Sequence, residues 1–164
     1  MKKNAIYNIP RNVYRETFDY EENMVQENIC ILNQLGIKVC IENLNPVNNN
    51  TIDCQVRALA KVLNIGWMEA YDKLIEQSKK YYTLPDHTSV LSELLKEYGF
   101  EEVEDFQCSV ATFMHENIHG TYVIFCKGHV FVFSEGIWYD TLENLLYIGA
   151  IFDISDNDTI YKRI

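Results

Sequence analysis

Three residue types that together perform nucleophilic acyl chemistry stand at informative places in this chain: Cys54, His129 and Asp140. A thiolate attacks a carbonyl, an imidazole moves the proton, and a carboxylate fixes the imidazole tautomer. Cys54 follows Asp53 and opens a stretch in which Val56, Leu59, Ala60 and Leu63 recur at i, i+3, i+4 and i+7, the period of a helix with one buried stripe. Asp53 is then the N-cap, Gly66 the expected C-terminal cap, and Cys54 lies in the first turn. Unpaired N–H groups and the positive end of the helix dipole lower a thiol there from about 8.5 toward neutrality. A cysteine is also a small hydrophobe that is commonly buried and inert. A base elsewhere in the chain decides between the two.

The base comes from a hairpin. Thr121 to Cys126, His129 to Ser134 and Ile137 to Asp140 are rich in Val, Ile, Phe and Tyr and are separated by Lys127-Gly128 and Glu135-Gly136, so they read as strands joined by tight turns. A two-residue turn at Glu135-Gly136 pairs Ser134 with Ile137, Phe133 with Trp138 and Phe131 with Asp140, leaving His129 opposite Leu142. His129, Phe131, Asp140 and Leu142 then share a face, with Asp140 the diagonal neighbour of His129. Separately, His129 reads as a satisfied sheet-edge histidine and Asp140 as a turn residue; together, downstream of Cys54, they complete a Cys-His-Asp set.

A competing string is His115-Glu116-Asn117-Ile118-His119, which matches H-E-x-x-H, two zinc-binding histidines with a glutamate base, and Glu143 is available as a third ligand. Gly120 follows at once and the chain turns into strand, so His119 falls at a fraying helix end. The expectation is a solvated polar terminus, with no metal and no cofactor.

The elements that must position these residues follow in order. Tyr14 to Leu35 reads as a helix with Phe18, Val25, Ile29 and Leu32 on one face, closed by Gly36. Ile37, Val39 and Ile41 mark a short strand, and Leu44 to Asn50 is a turn-rich loop. Trp67 to Lys80 is a helix with Ala70, Tyr71 and Leu74 inward. Leu91, Leu94, Leu95 and Tyr98 stripe another, capped by Thr88 or Ser89 and ended by Gly99. His87 reads as an exposed loop residue. Ser109 caps a short helix through Glu116. A further apolar run spans Leu145 to Phe152, and a last one Thr159 to Ile164. Helices come first and antiparallel sheet second, an α+β arrangement in one domain over residues 1–164. Residues 1–45 form a helix-and-strand extension and 46–164 the core that carries the chemistry.

Composition bounds the partners. With 48% hydrophobic and 13% aromatic residues the chain is globular, and a net charge of −10 with pI near 4.8 argues against nucleic acid. Five cysteines without a CxxC pair indicate neither a disulfide framework nor a zinc ribbon, hence a reducing, cytoplasmic setting. No apolar signal region and no membrane span are read.

Asp53-Cys54 with Arg57-Ala58 and Ala60, Trp67 and Tyr71, Gly120-Thr121-Tyr122-Val123 leading to Gly128-His129, and Gly136-Ile137-Trp138-Tyr139-Asp140-Thr141 resemble, in that order, small papain-like cysteine peptidases of phages and mobile elements. Those are similar in turn to peptidases that process bacteriocin leaders. The resemblance covers roughly residues 50 to 141. It implies a papain-like fold, a protein or peptide substrate, Cys54 as nucleophile, His129 as base and then acid, and Asp140 as orienter. Where that family carries an oxyanion-hole glutamine this chain has Asn48; Asn50, Gln55 and the Cys54 backbone N–H are further candidates. Arg57 reads as a structural partner in the helix layer or a surface residue, and Trp138 as a cleft wall or a core residue. Three function classes follow: a thiol peptidase or acyl transferase, an inert phage-type protein-binding inhibitor on the same fold, and a zinc hydrolase at His115 and His119.

Overall fold

In the computed structural model, which describes residues 5–7, 20–47, 52–141 and 144–164, the alternating apolar runs form one seven-stranded sheet. Its strands are β1 (Ala5–Tyr7), β2 (Lys38–Ile41), β3 (Phe100–Glu102), β4 (Thr121–Cys126), β5 (His129–Ser134), β6 (Ile137–Asp140) and β7 (Thr159–Arg163), in the spatial order β1-β2-β6-β5-β4-β7-β3. Every neighbouring pair is antiparallel except β2 and β6, which run parallel with Ile41 opposite Asp140.

The fold is α+β, but the expected C-terminal antiparallel unit is corrected in two respects. The sheet is mixed, and it draws β1 and β2 from the N-terminal third. Parallel pairing needs a long crossover rather than a tight turn, and residues 42–136, which hold four helices as well as β3, β4 and β5, supply it. Val39 is fully buried, as a residue of an inner strand must be. The helix-and-strand extension of residues 1–45 therefore contributes the strand beside the one that carries Asp140.

Side-chain alternation sorts the helices onto two faces. Tyr122, Ile124, Phe131, Phe133 and Trp138 pack with α1 (Tyr20–Gln34), α5 (Val110–Glu116) and a 3₁₀ helix (Asn144–Phe152) on one face. Val123, Phe125, Val130 and Val132 pack with α2 (Cys54–Leu63), α3 (Trp67–Lys80) and α4 (Thr88–Glu97) on the other. Alternation thus places a helix layer on each side of the sheet.

Local predictions hold where the chemistry is local. Both hairpin turns have positive φ at their two central residues, Lys127 and Gly128 at 44° and 78°, Glu135 and Gly136 at 49° and 76°, the geometry that matches strand twist. The pairing Ser134 with Ile137 and Phe133 with Trp138 forms as counted. Ser109 caps α5 by accepting from the Thr112 N–H. Other boundaries differ. Helix α2 ends on Asn64 in the left-handed conformation, φ 54°, and Gly66 is the N-cap of α3. Helix α4 is capped by His87, whose ring accepts from the Ser89 N–H, so neither Thr88 nor Ser89 is the cap. Tyr71 and Tyr98 stand at the edge of their stripes, exposed rather than inward. Of the first helix, Val25, Ile29 and Leu32 are buried as expected, while Phe18 and the start near Tyr14 lie outside the described residues. No helix among the described residues is long and apolar enough to cross a membrane.

Candidate active site

Asp53 sits at the N-cap position of α2, yet its carboxylate makes no capping bond. It instead accepts from Arg57 Nε at 2.7 Å, Trp67 Nε1 at 2.8 Å and Asn45 Nδ2 at 3.1 Å, tying the start of α2 to α3 and to the preceding loop. Three donors satisfy a carboxylate that is only 6% exposed, which is the condition for burying one. The first turn of α2, and Cys54 with it, is thereby held at the end of the sheet where β5 begins.

His129 opens β5 and is half-buried. Its Nε2 meets Asp140 Oδ2 at 2.7 Å, confirming the diagonal placement counted from the turn. With Nε2 committed, Nδ1 is the ring nitrogen available to Cys54, and the thiol's electrostatic surroundings are set by the His129 ring, the Val130 backbone N–H and Arg57. Leu142, expected on the same face, lies outside the described residues.

Asp140 is almost wholly buried and saturated with donors. Oδ2 also accepts from Trp138 Nε1 at 3.2 Å. Oδ1 accepts from the Thr141 N–H and from Asn144 Nδ2, both at 2.8 Å, with Arg57 Nη1 at 3.5 Å. Trp138 is thus a core residue stacked on Phe131 at 4.3 Å that also donates to the acid. Arg57 is a bridge between Asp53 and Asp140, linking the helix that carries Cys54 to the strand that carries Asp140.

This environment biases both titrating groups. Burial pushes the Cys54 thiol up, but the hydrogen bond and charge of His129, the Val130 N–H and Arg57 together bring it below its ordinary value. Burial likewise opposes charge on His129, and the acceptors Asp140 and Cys54, with their negative charge, overcome it, raising the imidazole from 6.5 to about 9. A lowered thiol beside a raised imidazole favours the thiolate–imidazolium pair. Burial drives other cysteines the opposite way: Cys40, where Glu42 adds to it, Cys108, and Cys126, which rises to about 12 beside Asp158. No disulfide forms among the five.

The remaining candidates separate. Gln55 lines the groove beside Cys54, but its Nε2 donates to the Asp86 carbonyl at 2.6 Å, so its amide N–H is already engaged. Asn48, Asn50 and Glu143 lie outside the described residues. The H-E-x-x-H string does not form a ligand pair. Helix α5 stops at Glu116, His115 Nδ1 bonds the Leu35 carbonyl at 2.8 Å, and His119 is exposed beside Glu135 at 3.4 Å. Among the described residues no group of three His, Cys, Asp or Glu side chains could hold a metal.

Sequence reasoning missed Asn144 and underused Asp53. Asn144 has no periodic signal, though an amide four residues beyond a candidate acid is within reach of a turn. Asp53 was visible, but as a cap.

Comparison of the chain with protein families, with curated proteins and with solved structures gives no match.

Proposed function

We propose that this chain is a thiol hydrolase with a papain-like fold, a cysteine peptidase that cleaves an amide or isopeptide bond through Cys54, His129 and Asp140. The observation that carries the reading is the His129 ring held between Asp140 and Cys54, on a thiol biased toward the thiolate while other cysteines are biased away from it.

In this mechanism the Cys54 thiolate attacks the carbonyl carbon, and the developing oxyanion meets the Cys54 backbone N–H at the head of α2. The imidazolium gives its Nδ1 proton to the leaving nitrogen as the C–N bond breaks, leaving a thioester. Water then attacks, His129 takes its proton, the C–S bond breaks, and the acid departs. An amine in place of water makes the same site an acyl transferase. Asp140 keeps Nε2 protonated throughout, so that Nδ1 does the proton transfer. A groove of about 500 Å³, lined by Cys54, Gln55, Trp67, Tyr71, Pro85 and His129 among others, offers a peptide access to the sulfur.

The test is the alkylation rate of each of the five cysteines against pH, read by mass spectrometry on the native protein and on His129→Ala. Cys54 reacting fastest well below pH ~8.5, with that advantage lost in the variant, supports the pair. Cys54 reacting no faster than the others refutes it. Cys54→Ala should abolish peptide turnover and leave the fold intact.

A further inference from the structure

Two hollows meet at His129. The larger is the groove beside Cys54. The second, about 280 Å³, is lined by His129 together with Phe131, Trp138, Asn144, Ile148, Ala150 and Ile151, and Cys54 takes no part in it. The 3₁₀ helix that supplies four of these lining residues follows shortly after the strand of Asp140, and Asn144, at its start, is anchored to Asp140 and to Thr141 Oγ1.

The division follows the bond chemistry of the proposed site. An acyl carbon must reach the sulfur, so the acyl half of a substrate lies in the groove that Cys54 lines. The leaving nitrogen must take its proton from His129, so the amine half crosses the imidazole and leaves on the far side. The space there is the second hollow. We infer that this hollow is a leaving-group subsite that takes one uncharged apolar side chain on the amine side of the cleaved bond, an inference that rests on the Cys54 mechanism. Its volume is at the lower end for a binding pocket and suits a single side chain of leucine to phenylalanine size. Beside Phe131, Trp138, Ile148, Ala150 and Ile151 its described lining holds Cys126 and three polar groups that are already engaged: His129 with Asp140, Asn144 Nδ2 with Asp140 and Thr141, and Lys127 with Asp153. Among the described lining residues a charged side chain placed there would find no acid and only Lys127, already paired with Asp153, so it would lose hydration with little in return.

The subsite can be tested by running the leaving step in reverse. Cys54 Sγ attacks p-nitrophenyl acetate, p-nitrophenolate leaves in a burst, and the acetyl thioester that remains is attacked by an added amino-acid amide. The amine nitrogen bonds to the carbonyl carbon, the C–S bond breaks, and the amine proton passes to His129. Leucine amide and phenylalanine amide should deacylate the full-length protein about tenfold faster than glycine amide, a discrimination typical of an apolar pocket, with lysine and glutamate amides no faster than glycine. In Ala150→Trp, which fills the hollow, rates normalised to that variant's own burst should collapse to the glycine value. A normal burst with indifference to the acceptor, or with preference for a charged one, overturns the subsite and leaves the Cys54 mechanism standing. Absence of a burst that Cys54→Ala also lacks overturns both.

Discussion

Asp140→Asn is the sharpest probe of the site, because both oxygens of the carboxylate face donors. Oδ1 accepts from Thr141 N–H, Asn144 Nδ2 and Arg57, while Oδ2 accepts from His129 Nε2 and Trp138 Nε1. An asparagine must turn its NH₂ toward one set. Keeping oxygen on the side with three donors puts the NH₂ against His129 and Trp138. The imidazole can then satisfy it only as an acceptor at Nε2, which moves the ring proton to Nδ1, facing Cys54. That tautomer cannot take the thiol proton. The carboxylate charge that helps lift the imidazole from 6.5 to about 9 is lost as well, and that rise corresponds to roughly 3 kcal/mol of preference for the charged ring. A large part of it should go, so alkylation of Cys54 by iodoacetamide near pH 6 should fall by one to two powers of ten, on the order of 1.4–2.8 kcal/mol. The orphaned Trp138 N–H should cost about 1–3 kcal/mol in stability, readable from urea unfolding. A variant whose alkylation profile superimposes on the native one would refute the triad, whatever its stability.

Three further outcomes are expected. Arg57→Ala strips a buried cation from two buried acids and should lower unfolding free energy by about 3 kcal/mol; a loss under about 1 kcal/mol would mean that the bridge is solvated. Folding raises the His129 pKa, so the stability it contributes is complete below about pH 6.5 and is lost as pH rises through about 9. The urea midpoint of the native chain relative to His129→Ala should decline across that window, and a difference that grows with pH would contradict the ion pair. The double change His115→Ala and His119→Ala should leave Cys54 alkylation unaltered, because neither ring touches the site; loss of Cys54 reactivity there would revive a role for the H-E-x-x-H string.

Much of the candidate site was legible in the sequence because each part rests on a short-range rule. Period 3.6 put Cys54 at the head of α2, and period 2 with a two-residue turn put His129 beside Asp140. Both survive because hairpin register is set by the turn, and the Glu135-Gly136 turn has the positive-φ geometry that makes the count valid. Caps were less legible. Asp53, His87 and Asn64 each occupy a terminus for reasons that compete with propensity: a buried carboxylate with three better donors, a ring that accepts where a hydroxyl was expected, and an asparagine that takes the left-handed turn in place of the glycine, which stays extended.

The sequence by itself determined the main helices, the central hairpin strands and the α+β class, and it placed Cys54, His129 and Asp140 as the candidate nucleophile, base and orienting acid, since spacing and turn geometry act between neighbours along the chain; the short strands β1 and β3 carried no such signal. Only the tertiary structure decided what long-range pairing decides. Strand β2, distant in sequence, lies parallel to β6, and helices cover both faces of the sheet. Arg57 spans from Asp53 to Asp140, and Asn144 closes the back of the acid. No periodicity encodes these contacts, because they depend on which apolar faces bury one another and on which buried charges then find a partner.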